Sequence, residues 1–336
     1  MRFGVSIGLA VLLLWLFLRN LDLAAVGEAI RSARVGWIVV ATVAGLIATP
    51  PVRAWRWGLL LGGQPASYLH RNASVAIGFA ASTLLPARAG EIVRPVALSR
   101  MASLPFTPCL LSVALERLID LLSTVVLFVV FAIGWAPQTL SGDEASRFAL
   151  LRKSAFLLGA GAVLAIGLLS VFALKPQLAR RMAAPFLRLF PEKLSGRLDG
   201  VLTHLLEGIA ALRSPRDAAV VAGQSALLWL VICFQIWATL MAFDLAYPFP
   251  VTFFVLTWAV MGLAIPTPGG VGGYHAAIAY ALTGFYGVPR NTAAAFALVS
   301  HAVSFVPITL LGLGFLIAGG LSLRSLSTDR PSEPAA

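Results

Sequence analysis

Long apolar stretches recur along almost the whole chain, and they restrict its possible folds more than any other feature. A helix of about 20 apolar residues spans the hydrocarbon core of a bilayer, and lipid admits only structures whose backbone groups are paired internally. We therefore predict an all-α polytopic membrane protein, with a single membrane-embedded domain over residues 1–324. Six stretches are long enough to be continuous spans: 3–19, 35–53, 107–134, 154–174, 217–243 and 291–320.

The composition supports a membrane protein and argues against other classes. Hydrophobic residues make up 59% of the chain and charged residues only 12%, whereas soluble domains carry about 25% charged residues. The formal charge of +11 is explained by basic loops that face anionic lipid, so we predict no nucleic-acid partner. Cys109 and Cys233 lie in apolar segments and suggest neither a disulfide framework nor a metal site. We predict no cofactor and no metal.

Two further apolar segments, 72–100 and 250–286, are interrupted by proline and glycine. Pro86 and Gly90 lie 180 positions before Pro266 and Gly270. A helix break at membrane depth leaves backbone groups unpaired unless protein or a wet cavity satisfies them. We therefore expect two broken or re-entrant helices and about eight membrane segments in all. Matching breaks in two halves of a chain predict an inverted repeat and point to the binding site of a transporter.

The long polar loop 175–216 sets the expected orientation. It carries more basic than acidic residues, which places it in the cytoplasm. Counting spans outward from it puts both termini in the cytoplasm, and the first break then opens from the cytoplasm and the second from the opposite face. Leucines spaced by three and four residues predict an amphipathic helix in the loop, which either lies on the anionic inner leaflet or packs on the helix bundle. The tail 325–336 is expected to be disordered.

Charged residues at the first break are the leading candidates for a binding site. Arg88, Glu91 and Arg94 share one face if 88–94 is helical. Two arginines suit a lipid phosphate because the planar guanidinium matches phosphate oxygens. In the alternative reading, Arg94 pairs with Glu91 at a cytoplasmic helix end and no ligand is involved.

A second charged group, Glu116, Arg117 and Asp120, interrupts the apolar span 107–134. These side chains could titrate in a proton-coupled cycle, hold the arginines of the first break, or form an internal salt-bridge lock. Arg53 and Arg56 end the second predicted span beside tryptophans, and we interpret them as interface anchors that could also touch headgroups.

The second break is rich in glycine and precedes a helix expected to start near Tyr274. Backbone N–H groups there could approach an anion, although close packing through small residues explains the same pattern. Tyr274 and His275 either contact a headgroup or are satisfied buried groups. The candidate residues of this break are Thr267, Gly269, Gly270, Gly272, Gly273, Tyr274 and His275.

Four stretches together resemble the flippase-like membrane-domain family of lysylphosphatidylglycerol synthases. They are Arg-Ala-Trp-Arg-Trp (53–57), Leu-Pro-Ala-Arg-Ala-Gly-Glu-Ile-Val-Arg-Pro (85–95), Glu-Arg-Leu-Ile-Asp (116–120) and Pro-Thr-Pro-Gly-Gly-Val-Gly (266–272). The resemblance implies a bacterial or archaeal inner-membrane protein that moves lipid. In bifunctional members a separate soluble domain makes the aminoacylated lipid. We expect this protein to lack that domain, so the resemblance does not imply aminoacyl transfer.

These observations predict a lipid flippase rather than an enzyme. It would move an anionic or zwitterionic phospholipid, or a polyprenyl-linked lipid, across the inner membrane, and its partners would be lipid headgroups, anionic inner-leaflet lipids and enzymes of lipid synthesis. Two alternatives stay open. One is a membrane transferase that acts on a lipid-linked phosphate, with Glu91, Glu116 or Asp120 as base. The other is a non-catalytic scaffold of a lipid-synthesis complex.

Overall fold

The structure is a computed structural model that describes residues 2–86, 88–135, 142–210, 214–323 and 326. Within these ranges the regular secondary structure is entirely helical. Five helices are long and apolar enough to cross a membrane, and a bent pair at the N-terminus makes a sixth candidate. The predicted all-α polytopic membrane fold is confirmed. The number of eight membrane segments stays a prediction, because it counts each interrupted segment as one.

The N-terminal pair consists of α1 (Arg2–Leu18) and α2 (Leu23–Ser32), which meet at an angle of 87°. Asp22 caps α2, because its side chain accepts hydrogen bonds from the backbone N–H groups of Ala24 and Ala25. The first predicted span, 3–19, therefore corresponds to α1.

The second span is longer than the sequence suggested. It comprises α3 (Val35–Ile47), a π-helical turn (Ala48–Val52) and α4 (Arg53–Leu60), which form one continuous helix of 26 residues. Pro50 and Pro51 lie in the π-helical turn, where the missing proline N–H groups disturb regular α-helical pairing. Arg53 and Arg56 consequently lie inside the helix and are buried. The interpretation of these two arginines as interface anchors is wrong.

The first interrupted segment forms a hairpin of α5 (Tyr68–Leu84) and α6 (Gly90–Ala102). The two helices cross where Gly78 meets Gly90, and a Cβ atom on Gly90 would lie 1.9 Å from the Gly78 carbonyl oxygen. Only glycine permits this approach. The long span α7 (Phe106–Gly134) follows.

The central part of the chain contains α8 (Gly142–Leu174), α9 (Pro176–Leu187) and α10 (Glu192–Ala210). The amphipathic helix predicted from the leucine spacing corresponds to α10, and the loop contains α9 as a further helix. α10 packs against α7, where Gly208 faces Leu115. Packing on the bundle, one of the two alternatives for the loop, therefore holds for α10.

The second half repeats the order of the first. The span α11 (Pro215–Ala242) precedes a hairpin of α12 (Val251–Leu263) and α13 (Gly273–Tyr286), and the span α14 (Arg290–Ala318) follows. Gly262 and Gly273 make the same close crossing in this hairpin, since a Cβ on either would lie 2.5 Å from the other's carbonyl oxygen. Helix α13 begins one residue before Tyr274, as predicted.

Corresponding helices of the two halves run in opposite directions. The backbone N–H of Arg34 at the start of α3 donates to the carbonyl of Ala242 at the end of α11, and Arg56 in α4 reaches Ser225 nearer the start of α11. The α3–α4 helix is therefore antiparallel to α11. The hairpins are related in the same way. The first helix of the first hairpin, α5, packs on α14 of the second half, and the first helix of the second hairpin, α12, packs on α7 of the first half. This arrangement is that of an inverted repeat.

The C-terminal tail predicted to be disordered, residues 325–336, lies outside the described residues except for Leu326. That side chain is buried in an apolar cluster with Leu316 and residues of the first hairpin.

Candidate functional site

Five charged side chains from three helices meet in the interior, and we call them the ion cluster: Arg53, Arg56, Arg94, Glu116 and Asp120. Each of these residues is at most 6% exposed. The arginines come from α4 and α6 and the two carboxylates from α7. Residues four apart share a helix face, so Glu116 and Asp120 point together, and the three-residue step from Arg53 to Arg56 does the same on α4.

Each of the two carboxylates accepts hydrogen bonds from two arginines of the ion cluster. Glu116 binds Arg94 through two parallel hydrogen bonds of 2.7 Å and also accepts from Arg53 at 3.0 Å. Asp120 accepts from Arg53 and Arg56, each at 2.6 Å. Glu116 thus holds Arg94 of the first break, whereas Asp120 pairs with Arg53 and Arg56 of α4. The alternative pairing of Arg94 with Glu91 is not the one that forms.

Aromatic and hydroxyl groups complete the surroundings of the arginines. The Arg94 guanidinium lies 4.0 Å from the centre of the Trp57 ring, at a distance typical of a cation–π contact. Trp57 in turn donates to the Ser112 hydroxyl, and Arg56 donates to the Ser225 hydroxyl. The Nε atoms of all three arginines in the cluster have no hydrogen-bond partner among the described residues.

Arg117 and Glu91 form a half-exposed rim on this cluster. The Arg117 guanidinium contacts Glu116 at 2.6 Å, Asp120 at 3.2 Å and Glu91 at 3.7 Å. The side chains of Arg117 and Glu91 are 37% and 38% exposed. The cluster and rim together contain four arginines and three carboxylates, which gives a formal charge of +1.

Arg88 lies apart from the cluster and connects the two breaks. It precedes α6 with a left-handed backbone (φ 54°), so it does not share a helix face with Glu91 and Arg94 as predicted. Its exposed side chain donates to the carbonyl of Leu263, the last residue of α12. Gly269 of the second break also packs against Thr83 at the end of α5. The tips of the two hairpins are therefore in contact with each other.

A cavity of about 480 Å³ opens between the first hairpin, α7 and the end of α12. Arg53, Arg88, Glu91, Arg117 and Asp120 provide its charged lining. The rest of the wall is mainly apolar: Phe79, Ile92, Leu110, Val113, Ala114, Leu121, Trp229, Val260 and Leu263. Ile92 and Leu121 are 50% and 56% exposed on the outer surface of the bundle, so the cavity opens sideways between α6 and α7.

The polar groups of the second break bond to the backbone of the break and to α14, and they do not line this cavity. Tyr274 shares a hydrogen bond with Ser300, and His275 Nδ1 accepts from the Gly272 N–H. Thr267 donates to the carbonyl of Val271. Tyr274 and His275 are therefore buried groups with hydrogen-bond partners inside the protein, which is one of the two alternatives predicted for them.

The glycines of the second break have conformational and packing roles. Gly269, Gly270 and Gly272 have positive φ angles, which side chains rarely adopt. A Cβ on Gly272 would also lie 2.4 Å from Leu13 of α1. Gly273 makes the hairpin crossing described above. The close-packing explanation accounts for these contacts, and headgroup binding at this break stays a prediction.

Sequence reasoning missed the role of Arg53 and Arg56. Their signal was present: two arginines three residues apart follow a proline pair after a long apolar run.

No group of three or more His, Cys, Asp or Glu side chains within the described ranges is placed to hold a metal.

Comparisons with known proteins agree with this architecture. The family model described as "Lysylphosphatidylglycerol synthase TM region" matches residues 3–312. The chain is also 25% identical over 340 aligned residues to the protein named glycosyltransferase AglD of Haloferax volcanii. That alignment covers 94% of this chain and 54% of the relative, so the chain spans about half the length of AglD.

Proposed function

Because the chain belongs to the family of lysylphosphatidylglycerol synthase transmembrane regions, we propose that it is a flippase for a phosphate-bearing lipid. The substrate is an anionic or zwitterionic phospholipid or a polyprenyl-linked lipid, and its phosphate binds in the cavity beside the ion cluster. The protein lies in the inner or plasma membrane of a bacterium or archaeon. The basic α9–α10 region and both termini face the cytoplasm.

One observation carries the proposal: a cationic cavity opens sideways between helices that have lipid-facing apolar surfaces. Arg88 and Arg117 line the cavity, and the cluster beneath them has an excess of positive charge. An intramembrane charge is costly and normally pairs or faces a polar site. A phosphate would neutralise that excess and accept from both guanidiniums. The exposed Ile92 and Leu121 allow acyl or isoprenoid chains to remain in the bilayer while the headgroup enters.

Arg88 is suited to couple binding to movement. Its side chain holds the carbonyl at the end of α12, which is an acceptor left without a partner inside the helix. A lipid phosphate competes for the same guanidinium and offers a full negative charge. When Arg88 turns to the phosphate, the two hairpin tips lose a link, and the headgroup gains a route between them.

The test is lipid movement in reconstituted vesicles. Fluorescent phosphatidylglycerol, phosphatidylethanolamine and a polyprenyl phosphate are placed in both leaflets, and a membrane-impermeant reductant bleaches the outer one. We expect the wild type to make more than half of one of these lipids reducible, and Arg88→Ala and Arg117→Ala to slow this movement at least tenfold. Arg31→Ala, on the exposed surface of α2, is the matched control. Movement no faster than in empty vesicles for all three lipids contradicts the proposal.

A second candidate, a membrane transferase, is favoured by the name of the relative and by Glu91. AglD is named a glycosyltransferase, and Glu91 lies at the cavity with a contact to Arg117 of 3.7 Å, which leaves its carboxylate room to act as a base. Mass spectrometry of the lipids after incubation with nucleotide-activated or lipid-linked sugars separates the two. A covalently altered lipid that disappears with Glu91→Gln supports the transferase.

A further inference from the structure

The helix α9 and the turn after it present large apolar side chains that have no neighbours in the bundle. We call this surface the α9 apolar face. It comprises Leu178, Met182, Phe186, Leu189 and Phe190, which are 39%, 55%, 70%, 76% and 44% exposed. At 100° per residue, positions 178, 182 and 186 fall on one side of the helix, and Leu189 and Phe190 follow in the turn after it.

The other sides of α9 have different chemistry. The packed side uses a small residue, Ala179, which is buried against neighbouring helices. A third side is basic, with Arg180, Arg181 and Arg188 all exposed, and Arg180 reaches Thr203 of α10 at 3.2 Å. The helix therefore attaches to the protein through alanine and turns its largest apolar side chains outward. This is the reverse of what a water-exposed helix does.

The position of α9 in the chain indicates what covers this face. Helix α8 is one of the candidate membrane spans and ends at Leu174, and α9 begins at Pro176. Because the chain has just left the hydrocarbon core, α9 starts at the level of the lipid headgroups. A short helix with a large apolar side, flanked by arginines, is the pattern of a helix that lies in the membrane interface.

We propose that the α9 apolar face is inserted into the headgroup layer of an anionic membrane surface. Phe186, Leu189 and Met182 enter the acyl boundary, while Arg181 and Arg188 meet lipid phosphates. Charge complementarity selects anionic lipid, because basic residues near a membrane surface are attracted to its negative potential. The contact anchors the end of α8 and does not depend on whether the cavity moves lipid.

The test places an environment-sensitive fluorophore on the face. Both native cysteines are buried, so they should not react with the fluorophore. Wild type treated with the fluorophore in the same way therefore gives the background signal for Phe186→Cys. Gln177→Cys, exposed on the other side of the same helix, is the matched control. The labelled proteins are reconstituted in vesicles of phosphatidylcholine alone or with phosphatidylglycerol, with a shallow nitroxide lipid as quencher from the membrane and iodide as quencher from water.

In phosphatidylglycerol vesicles we expect the nitroxide lipid to quench the Phe186 probe about threefold more than the Gln177 probe, and iodide to show the opposite order. Replacing Arg181 and Arg188 by glutamine should reduce nitroxide quenching to the level seen in phosphatidylcholine. Equal iodide quenching at both positions overturns membrane insertion. Equal nitroxide quenching in the two lipids overturns the preference for anionic lipid. If the Phe186 probe is protected from iodide in vesicles but not in nanodiscs that hold one copy of the protein, a second copy covers the face, and this outcome also overturns the proposal.

Discussion

At the scale of single residues, Glu116 is the centre of the ion cluster. It contacts Arg53, Arg94 and Arg117 within 3.0 Å and is fully buried. Removing one partner of a buried ion pair leaves a charge without compensation, and that loss exceeds the net gain from forming the pair. Glu116 therefore determines whether the buried Arg53 and Arg94 can remain in an apolar interior.

We predict that Glu116→Gln lowers the free energy of unfolding by about 3–5 kcal/mol. The neutral amide keeps the volume of the side chain but leaves Arg94 without its bidentate carboxylate. Glu91→Gln, at the half-exposed rim, should cost less than about 1 kcal/mol because an exposed pair contributes little. Denaturant titration of the protein in mild detergent, followed by loss of helical circular dichroism, measures both. Similar losses for the two variants contradict the central role of Glu116.

Arg88 and Arg94 are six positions apart in one motif, yet their surroundings predict different phenotypes. Arg94 is buried between Trp57 and Glu116, whereas Arg88 is exposed at the cavity. We expect Arg94→Ala to destabilise the protein by several kcal/mol and to reduce its yield in the membrane. Arg88→Ala should leave the midpoint of unfolding nearly unchanged while slowing lipid movement. A stable Arg94→Ala protein with normal unfolding would show that this arginine is not structural.

At the scale of helices, the two hairpins depend on glycine pairs at their crossings. Gly78 meets Gly90 in the first hairpin and Gly262 meets Gly273 in the second. A Cβ on Gly90, Gly262 or Gly273 would lie 1.9–2.5 Å from a backbone carbonyl oxygen. Backbone cannot withdraw in the way a flexible side chain can. Such small-residue contacts replace the hydrophobic driving force that is missing between helices in lipid.

We predict that Gly90→Ala separates α5 from α6 and destabilises the protein by about 1–3 kcal/mol, the usual cost of overpacking. The same change also displaces Arg94, so lipid movement should fall. Gly167→Ala in α8, where a Cβ meets nothing within 4 Å, is the matched control and should be neutral or stabilising by up to about 1 kcal/mol. Unfolding midpoints of the two variants within error of each other would contradict the crossing.

The sequence predicts these elements well and their contacts less well. Apolar length and proline–glycine breaks indicated every long helix and both hairpins. The burial of Arg53 was missed because the predicted span ended at residue 53, after the proline pair, whereas the helix continues through a π-helical turn to Leu60. The contact between the hairpin tips was also missed, because Arg88 and Leu263 are 175 positions apart and no local pattern encodes their meeting.

At the scale of the whole molecule, helix directions constrain the topology independently of charge. The α3–α4 helix is antiparallel to α11, so α3 begins where α11 ends. Tyr247, which follows α11, donates to the carbonyl of Tyr286, four residues before α14 begins. The helix α14 therefore begins on the same side as α3 and runs parallel to it. The directions agree with those obtained from the basic loops by counting spans. Two independent arguments therefore give the same inverted arrangement, although the side that faces the cytoplasm comes from charge alone.

This arrangement predicts which loops share a side of the membrane. Glu28 of α2 and Ala246 after α11 lie near the start of α3, because Arg34 contacts both Ala242 and Asp244. Pro65 follows the end of α4 and therefore lies on the opposite side. With the two native cysteines buried, Glu28→Cys and Ala246→Cys should react with an impermeant maleimide in right-side-out vesicles, and Pro65→Cys only in inverted vesicles. Reaction of Pro65→Cys and Ala246→Cys from the same side would contradict the inverted repeat. If all three positions instead react from the side opposite to the one expected, the repeat holds and only the predicted orientation in the membrane is reversed.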